Sequence, residues 1–266
     1  MSRHAVKKSP GRRLVPPPIP WKLYAAELIG TALLVMVGLS IVIADFGRGS
    51  PLVQLLPDAG LRRFLTGFLF GATGAAIAVS PLGKESGAHI NPVVTLGFWL
   101  MGRLKSGHAL GYVMCQLAGA LLGAVPLLAW GAMGRSVAFG ATVPGAAYGA
   151  GSALLGETVA TFALVFGLFF FLRRASLKAF TPALFPPLYA IMVWLEAPIS
   201  GTSTNPARSF GPAIIANAWS GWWVYWLGPL IGAVLAVAIH RWADWPLLGV
   251  AKIHHFEHDP YNVFHI

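Results

Sequence analysis

Two Asn-Pro pairs carry the side chains in this sequence that are best placed to do chemistry. Asn91-Pro92 and Asn205-Pro206 lie 114 residues apart. Asn is favoured at the N-cap of a helix and Pro at the first helical position, so each pair predicts the start of a helix. A helix N-terminus carries roughly +0.5 charge, and the Asn amide adds hydrogen-bond donors. Such groups orient neutral polar molecules and repel cations, and they form no covalent bonds.

Few other residues suggest chemistry. Arg208 follows Asn205 by three positions, and Glu27 and Glu157 each lie within an apolar stretch. No nucleophile and base occur together with a third group to orient them, so the sequence does not predict an enzyme. Cys115 is the single cysteine, which excludes a Cys-based zinc cluster. No cofactor is predicted, and the clustered His254, His255 and His258 are interpreted as part of a solvated tail.

The composition indicates the environment in which these residues act. Of 266 residues, 56% are hydrophobic and 11% charged, against about 25% charged in a soluble domain. A helix that crosses the bilayer needs about 20 mostly apolar residues. Six segments qualify, of which the fifth is the shortest: 23–44, 62–82, 108–130, 152–172, 182–199 and 222–241. The apolar stretches 92–101 and 206–216 are half that length, and each begins at an Asn-Pro pair.

The basic residues predict the orientation of these spans. With six crossings both termini lie on one side, and placing them in the cytoplasm collects fourteen basic residues there against four on the other side. The net charge of +10 is spread between apolar segments and forms no stripe, so nucleic acid is not a predicted partner. We expect a multi-pass protein of the plasma membrane with both termini in the cytoplasm.

The chain contains an internal repeat. The segment 86–95 matches 200–209, Tyr112 matches Tyr225, and Glu27 matches Glu157. Each half has three spans and one half-length insert, and because three is odd the halves cross the membrane in opposite directions. The predicted fold is therefore an all-α membrane protein with six transmembrane helices, two re-entrant half-helices and an inverted repeat. The predicted units are a basic cytoplasmic tail 1–21, a first repeat 22–134, an extracellular connection 135–151, a second repeat 152–242 and a cytoplasmic tail 243–266.

The half-length inserts must fold back inside the bundle, because unpaired backbone groups in lipid cost several kcal/mol each. Ten residues span about 15 Å, half of the hydrocarbon core, so two such helices from opposite faces would meet at the midplane. The stretches 87–90 and 201–204 are predicted as extended strands. Backbone carbonyls of these stretches would line a path for neutral molecules. They are the carbonyls of Gly87, Ala88, His89, Gly201 and Ser203. Cations would meet two positive helix ends on that path.

These motifs resemble the aquaporin, or major intrinsic protein, family over about residues 22–242. The resemblance is carried by the Asn-Pro pairs, the segments 26–31 and 156–158, the stretch 201–213 and the pair Tyr225-Trp226. It implies a passive water channel in membrane lipid that excludes protons and ions, built as a homotetramer. The implied midplane residues are Asn91, Pro92, Val93, Asn205, Pro206 and Ala207. Val93 stands where the family has Ala, and we expect this change to narrow or stiffen the pore.

The resemblance also implies a selectivity filter. Arg208 matches the family's filter arginine, and Thr202 and Val193 match two companion positions. The fourth position falls on Phe70, with Gly71 open as an alternative because the 80–84 stretch is one residue longer than usual. Val193 stands where strict water channels have His, which predicts a wider and less polar constriction.

The sequence leaves the permeant class open between branches of the family. Ser209, Ala213 and Tyr225-Trp226 resemble the water-type branch, whereas Val193 favours leakage of small neutral solutes such as glycerol or hydrogen peroxide. A glycerol or small-solute facilitator is the first alternative. An ion-coupled secondary transporter is the second, since such transporters also use inverted repeats and broken helices.

The buried polar residues have both structural and functional interpretations. Glu27 and Glu157 are predicted to accept backbone N–H bonds from the re-entrant loops rather than to relay protons. Glu196 either supports the structure or lines a vestibule. His89 either faces the path or packs beside it.

Overall fold

A computed structural model describes residues 19–252 and 263–264. Its principal helices are α1 (Trp21–Phe46), α2 (Ala59–Val79), α3 (Pro92–Leu100), α4 (Ser106–Ala124), α5 (Gly149–Leu172), α6 (Thr181–Ser200), α7 (Pro206–Ala216) and α8 (Val224–Trp242). Shorter helical turns occupy Pro51–Leu55, Pro81–Ser86, Val125–Trp130, Gly131–Arg135, Ala138–Gly140 and Lys178–Phe180. Within the described ranges no β-strand forms, and Leu104 and Phe264 make an isolated antiparallel bridge.

The prediction of an all-α membrane protein is confirmed. Five helices of the described chain are long and apolar enough to cross a membrane; they correspond to the first, third, fourth, fifth and sixth predicted spans. The second predicted span is the 21-residue helix α2, which is less apolar because it contains Arg62, Arg63 and several glycines. The fifth span, predicted to be the shortest, forms the 20-residue helix α6 in spite of its internal prolines. The half-helices α3 and α7 have nine and eleven residues, as their lengths in the sequence predict.

Small residues bring the long helices into close contact. A Cβ added to Gly119 of α4 would lie 2.2 Å from the carbonyl oxygen of Leu28 in α1. A Cβ added to Gly232 of α8 would lie 2.4 Å from the carbonyl oxygen of Thr158 in α5. The α4–α1 and α8–α5 pairs are thus in backbone contact, which only glycine permits and which is typical of membrane helices.

The chain after α8 packs against the bundle. We call residues 243–252 the C-terminal segment. Two hydrogen bonds attach it to the bundle. Arg103 Nη2 donates to the Leu247 carbonyl at 2.6 Å, and Leu248 N–H donates to the Leu172 carbonyl at 3.2 Å. The segment lies on the face of the bundle where α1 begins, because Val250 shares a buried cluster with Leu23. We call this the terminal face. The predicted tail 243–266 is therefore ordered in its first part.

Other predictions for the termini concern residues outside the described ranges. Most of the basic tail 1–21 and the three clustered histidines, His254, His255 and His258, fall there.

Candidate pore

The Asn-Pro pairs begin the half-helices, and each Asn is the N-cap. Asn91 Oδ1 accepts from the backbone N–H of Val93 at 3.0 Å. Asn205 Oδ1 accepts from Ala207 N–H at 3.0 Å and from Arg208 N–H at 3.3 Å. Both side chains are buried, so these bonds satisfy backbone donors that no helical carbonyl can reach.

The two N-caps also bind each other's loops. Asn91 Nδ2 donates to the Thr204 carbonyl at 2.9 Å, and Asn205 Nδ2 donates to the Ile90 carbonyl at 3.0 Å. The N-terminal ends of α3 and α7 therefore meet in the interior, which brings two partial positive charges together.

The loops before the half-helices are not extended strands. Gly87, Ala88 and Ile90 have φ of 84°, 51° and 42°, and Gly201, Thr202 and Thr204 have φ of 89°, 52° and 50°. The prediction of strands at 87–90 and 201–204 is wrong. The physical reason is that left-handed residues within such a loop turn successive N–H groups toward one anion, as in an anion-binding nest.

A buried carboxylate fills each nest. Glu27 accepts from His89 N–H at 2.8 Å and from Ile90 N–H at 2.7 Å. Its oxygens also accept from Ser86 Oγ at 2.8 Å and from Gln116 Nε2 at 2.7 Å. Four donors thus satisfy a carboxylate that is fully shielded from solvent.

Glu157 makes the corresponding bonds in the other half of the chain. It accepts from Ser203 N–H at 2.6 Å, Thr204 N–H at 2.8 Å and Ser200 Oγ at 2.6 Å. The structure thus places Glu27 and Glu157 where they fix the loops, with their carboxylates occupied by donors.

A tyrosine anchors the start of each loop. Tyr112 Oη donates to the Ser86 carbonyl, and Tyr225 Oη donates to the Ser200 carbonyl, both at 2.8 Å. Tyr112 and Tyr225 are matched in the sequence repeat, and the two loops are held by corresponding contacts, except that the Gln116 donor to Glu27 has Pro229 at the matching position.

A narrow cavity runs past the junction of the half-helices. The centre of a water molecule can occupy about 20 Å³ of it, room for about one water. Most of the residues around it are apolar, and its hydrogen-bonding side chains are those of Asn91, Tyr189, Asn205 and Lys252. The complete lining consists of Leu34, Phe70, Gly71, Gly74, Ile90, Asn91, Leu164, Phe185, Tyr189, Asn205 and Lys252. A molecule held here meets few polar partners, and both N-cap amides are among them.

A wider cavity opens on the face opposite the terminal face. Its volume for water centres is about 260 Å³, and Arg208, Val193, Gly201, Thr66 and Gly140 are among its walls. Arg208 is buried, and its Nη1 donates to the Gly140 carbonyl at 2.7 Å. The guanidinium is therefore held at the inner wall of this vestibule.

The predicted filter positions converge here to different degrees. The Arg208 guanidinium carbon lies 5.8 Å from the centre of the Phe70 ring. Gly71 is instead turned toward α6, because a Cβ there would lie 2.5 Å from the Phe185 carbonyl oxygen. Val193 lines the vestibule. Thr202 is buried next to Gly201, and its hydroxyl has no hydrogen-bond partner among the described residues.

The other residues predicted for the midplane lie in the core around the junction. Val93 and Ala207 are completely buried in the apolar core, and Pro92 and Pro206 are buried as well. None of the four is among the walls of the narrow cavity, so the extra bulk of Val93 contacts the core.

The predicted carbonyl ladder is partly engaged by protein donors. The Gly87 carbonyl accepts from Lys252 N–H at 3.1 Å, and the Ser203 carbonyl accepts from Thr204 Oγ1 at 2.8 Å. Gly201 lines the vestibule, whereas Ala88 and His89 are buried and do not border either cavity.

Two polar side chains with open interpretations are buried away from both cavities. His89 stacks on Phe98 with ring centres 4.7 Å apart, and its Nδ1 is 3.1 Å from Thr95 Oγ1, so it packs beside the path. Glu196 lies over Gly156, in an apolar cleft between α5 and α6 on the outside of the bundle. It does not border the vestibule.

Sequence reasoning missed two residues of this site. Gly140, whose carbonyl holds Arg208, belongs to the connection between the halves, and its position depends on a loop that no pattern predicts. Lys252 follows the apolar run Leu247–Ala251, which in a solvated tail is unusual and could have indicated a buried segment.

Comparisons with known proteins agree on the family. Residues 17–240 match the family model described as major intrinsic protein. The chain is 36% identical to "Probable aquaporin PIP2-7" of Oryza sativa subsp. japonica, over 85% of this chain and 84% of that protein. It is 34% identical to "Aquaporin Z" of Bradyrhizobium diazoefficiens, over 86% of this chain and 96% of that protein.

A solved structure shares the fold. An aquaglyceroporin from Plasmodium falciparum superposes with a TM-score of 0.70 at 18% identity, covering 88% of this chain and all of that one. The apolar helices and the relatives show a multi-pass membrane channel for water or small solutes, and not an enzyme. The chain belongs to the major intrinsic protein family, the aquaporins.

Proposed function

We propose that this protein is a passive channel that passes water, together with small neutral solutes, and excludes protons and ions. The observation that carries the proposal is the meeting of two helix N-termini at Asn91 and Asn205, beside a cavity with room for about one water. Two positive helix ends repel cations, while the N-cap amides offer hydrogen bonds to a neutral molecule.

The proposed selectivity filter consists of Arg208, Phe70, Val193 and Thr202. Phe70 is favoured over Gly71 because its ring faces the guanidinium of Arg208. Arg208 adds a full positive charge at the inner wall of the vestibule, so cations meet a first barrier there and a second at the half-helix junction.

A facilitator of glycerol or similar solutes is the second candidate function. Val193 favours it, because an aliphatic side chain there leaves the vestibule wide and without an imidazole. The narrow cavity beside Asn91 and Asn205 favours water, since the centre of a water molecule can occupy only about 20 Å³ of it, room for about one water.

We further propose the arrangement that the repeat and the charges predict. Residues 22–134 and 152–242 form oppositely directed halves, the termini lie in the cytoplasm and the protein resides in the plasma membrane as a homotetramer. The proposed inward face is thus the terminal face, where basic residues are most frequent.

Reconstitution tests the function. Liposomes that contain the purified protein should shrink faster than empty liposomes in a hyperosmotic solution, with a low activation energy and no dependence on ion gradients. Shrinkage equal to that of empty liposomes, together with solute uptake that follows a proton or sodium gradient, would contradict the channel and favour a coupled transporter. Parallel runs with glycerol and hydrogen peroxide rank the permeant solutes.

A further inference from the structure

The C-terminal segment packs against the loop that borders the narrow cavity, and its last described residue, Lys252, lines that cavity. Lys252 N–H donates to the carbonyl of Gly87, the first residue of the loop that leads to Asn91. Ala251 is completely buried and lies against Gly87, where an added Cβ would be 2.3 Å from the Ala251 Cβ. The segment is thus seated on a loop that borders the path.

Contacts further back hold the segment in place. Leu247 and Val250 are buried, and Arg103 binds the Leu247 carbonyl. The guanidinium carbon of Arg173 lies 3.7 Å from the centre of the Trp245 ring. These contacts involve the end of α5 and the connection after α3, so several elements fix the position of residue 252.

Lys252 itself points inward. Only 7% of the residue is exposed, and it borders the same narrow cavity as Asn91 and Asn205. Its Nζ lies 5.2 Å from the centre of the Phe185 ring, a distance at which a cation is attracted to the ring face. Burial lowers the pKa of Lys252 to about 8, and the Glu27 carboxylate opposes part of that shift. The side chain therefore remains mainly protonated at neutral pH.

Burying a lysine costs free energy unless its charge is paired, because the ammonium group loses hydration. Among the described residues, the charge of Lys252 is attracted to the ring face of Phe185 and to the carboxylate of Glu27. Lys252 lines the narrow cavity on its terminal-face side, whereas the wider cavity of about 260 Å³ lies toward the opposite face.

We infer that Lys252, carried by the C-terminal segment, is a second constriction of the conduction path and limits both the rate and the size of what passes. This inference rests on the proposed function. It places a side chain that limits permeation on the terminal-face side of the Asn91–Asn205 junction, in addition to Arg208 on the opposite side. Together the two cations bracket the junction.

Truncation of this side chain tests the inference. Lys252→Ala should raise the osmotic water permeability per channel by at least about twofold, and the glycerol permeability by a larger factor, because permeation depends on the bore and the charge of the narrowest part. Lys252→Met keeps a long unbranched side chain without the charge, and it should remain close to the wild type in water permeability. Lys84→Ala removes an exposed lysine and serves as the matched control, with no expected change.

The outcomes separate the inference from the proposed function. Wild type and Lys252→Ala conducting equally, both above empty liposomes, would overturn the inference alone. If neither protein conducts better than empty liposomes, the proposed function itself is contradicted.

Chemical modification gives a second measurement that does not depend on truncation. In a Cys115→Ser background, Lys252→Cys should react with methyl methanethiosulfonate, and the added group should return permeability toward the wild-type value. Lys84→Cys in the same background should be labelled without any change in permeability. Complete labelling at position 252 with unchanged permeability, or no labelling of the folded protein, would contradict a place on the water path.

Discussion

Asn91 and Asn205 donate to each other's loops in a reciprocal pair of bonds, from Nδ2 to Thr204 O at 2.9 Å and from Nδ2 to Ile90 O at 3.0 Å. An amide has two N–H donors and one carbonyl oxygen. The oxygen of each Asn caps its own half-helix and one N–H holds the opposite loop. Among the described residues the second N–H of each side chain has no acceptor, and it is thus available to a molecule in the cavity that both residues line.

Asn205→Asp tests the charge barrier at this junction. The two helix ends together bring roughly +1 charge, which one carboxylate would cancel. We therefore expect water permeability to persist and proton leakage to rise, measured with a pH-sensitive dye inside liposomes. Asn217→Asp, an exposed change at the other end of the same half-helix, should leave proton leakage unchanged. A proton-tight Asn205→Asp channel would show that the barrier lies elsewhere.

Glu157→Gln tests the support of the second loop. The amide presents N–H groups to a site in which Ser203 N–H, Thr204 N–H and Ser200 Oγ all donate, so at least one donor loses its partner. We expect a loss of stability of about 1–3 kcal/mol, the cost of an unpaired buried group. Thermal unfolding in detergent measures it.

Glu85→Gln is the control for that change, because it also neutralises a carboxylate but lies in the short helix Pro81–Ser86 on a partly exposed face. Equal stability of the two variants would argue against a loop-fixing role for Glu157.

Val193→His tests the filter. An imidazole at position 193 would narrow the vestibule that Arg208 also lines and would add a polar contact, so the ratio of glycerol to water permeability should fall. Light scattering after glycerol and sorbitol gradients gives both rates from one preparation. Val143→His, an exposed change in the connection, controls for the added histidine. An unchanged ratio would remove Val193 from the proposed filter.

Gly119→Ala and Gly107→Ala test the packing of α4 with opposite expected signs. At Gly119 the added Cβ would lie 2.2 Å from the Leu28 carbonyl oxygen, so we expect destabilisation of about 1–3 kcal/mol, typical of overpacking. At Gly107 no atom lies within 4 Å of the added Cβ. For Gly107→Ala we expect the free energy of unfolding to rise by up to about 1 kcal/mol, because Ala is the better helix former. The unfolding midpoints of both variants are measured in a mixed-detergent titration. An unchanged midpoint for Gly119→Ala would mean that α1 and α4 are less tightly packed.

The sequence predicts most of the helical framework because the signals are local. Apolar segments of about 20 residues mark the spans, and Asn-Pro marks the start of each half-helix. The matching of Glu27 with Glu157 and of Tyr112 with Tyr225 indicates the contacts that hold both loops, since residues related by a repeat meet related partners.

Features that depend on tertiary contact were not predictable in this way. The left-handed residues Ala88 and Thr202 are neither Gly nor Asn, so nothing in their type suggests a positive φ; the buried carboxylates impose it. The carbonyl of Gly140 that binds Arg208 comes from a connection without a regular pattern. Lys252 reaches the cavity only because the segment before it packs on the terminal face.

The osmotic response of reconstituted liposomes tests the central claim most directly, namely that the two half-helices enclose a continuous water path. Stopped-flow light scattering at several temperatures should show shrinkage much faster than in empty liposomes, with a lower activation energy than the lipid pathway and no accompanying proton flux. Shrinkage with the rate and activation energy of bare lipid, in wild type and in Lys252→Ala alike, would contradict it.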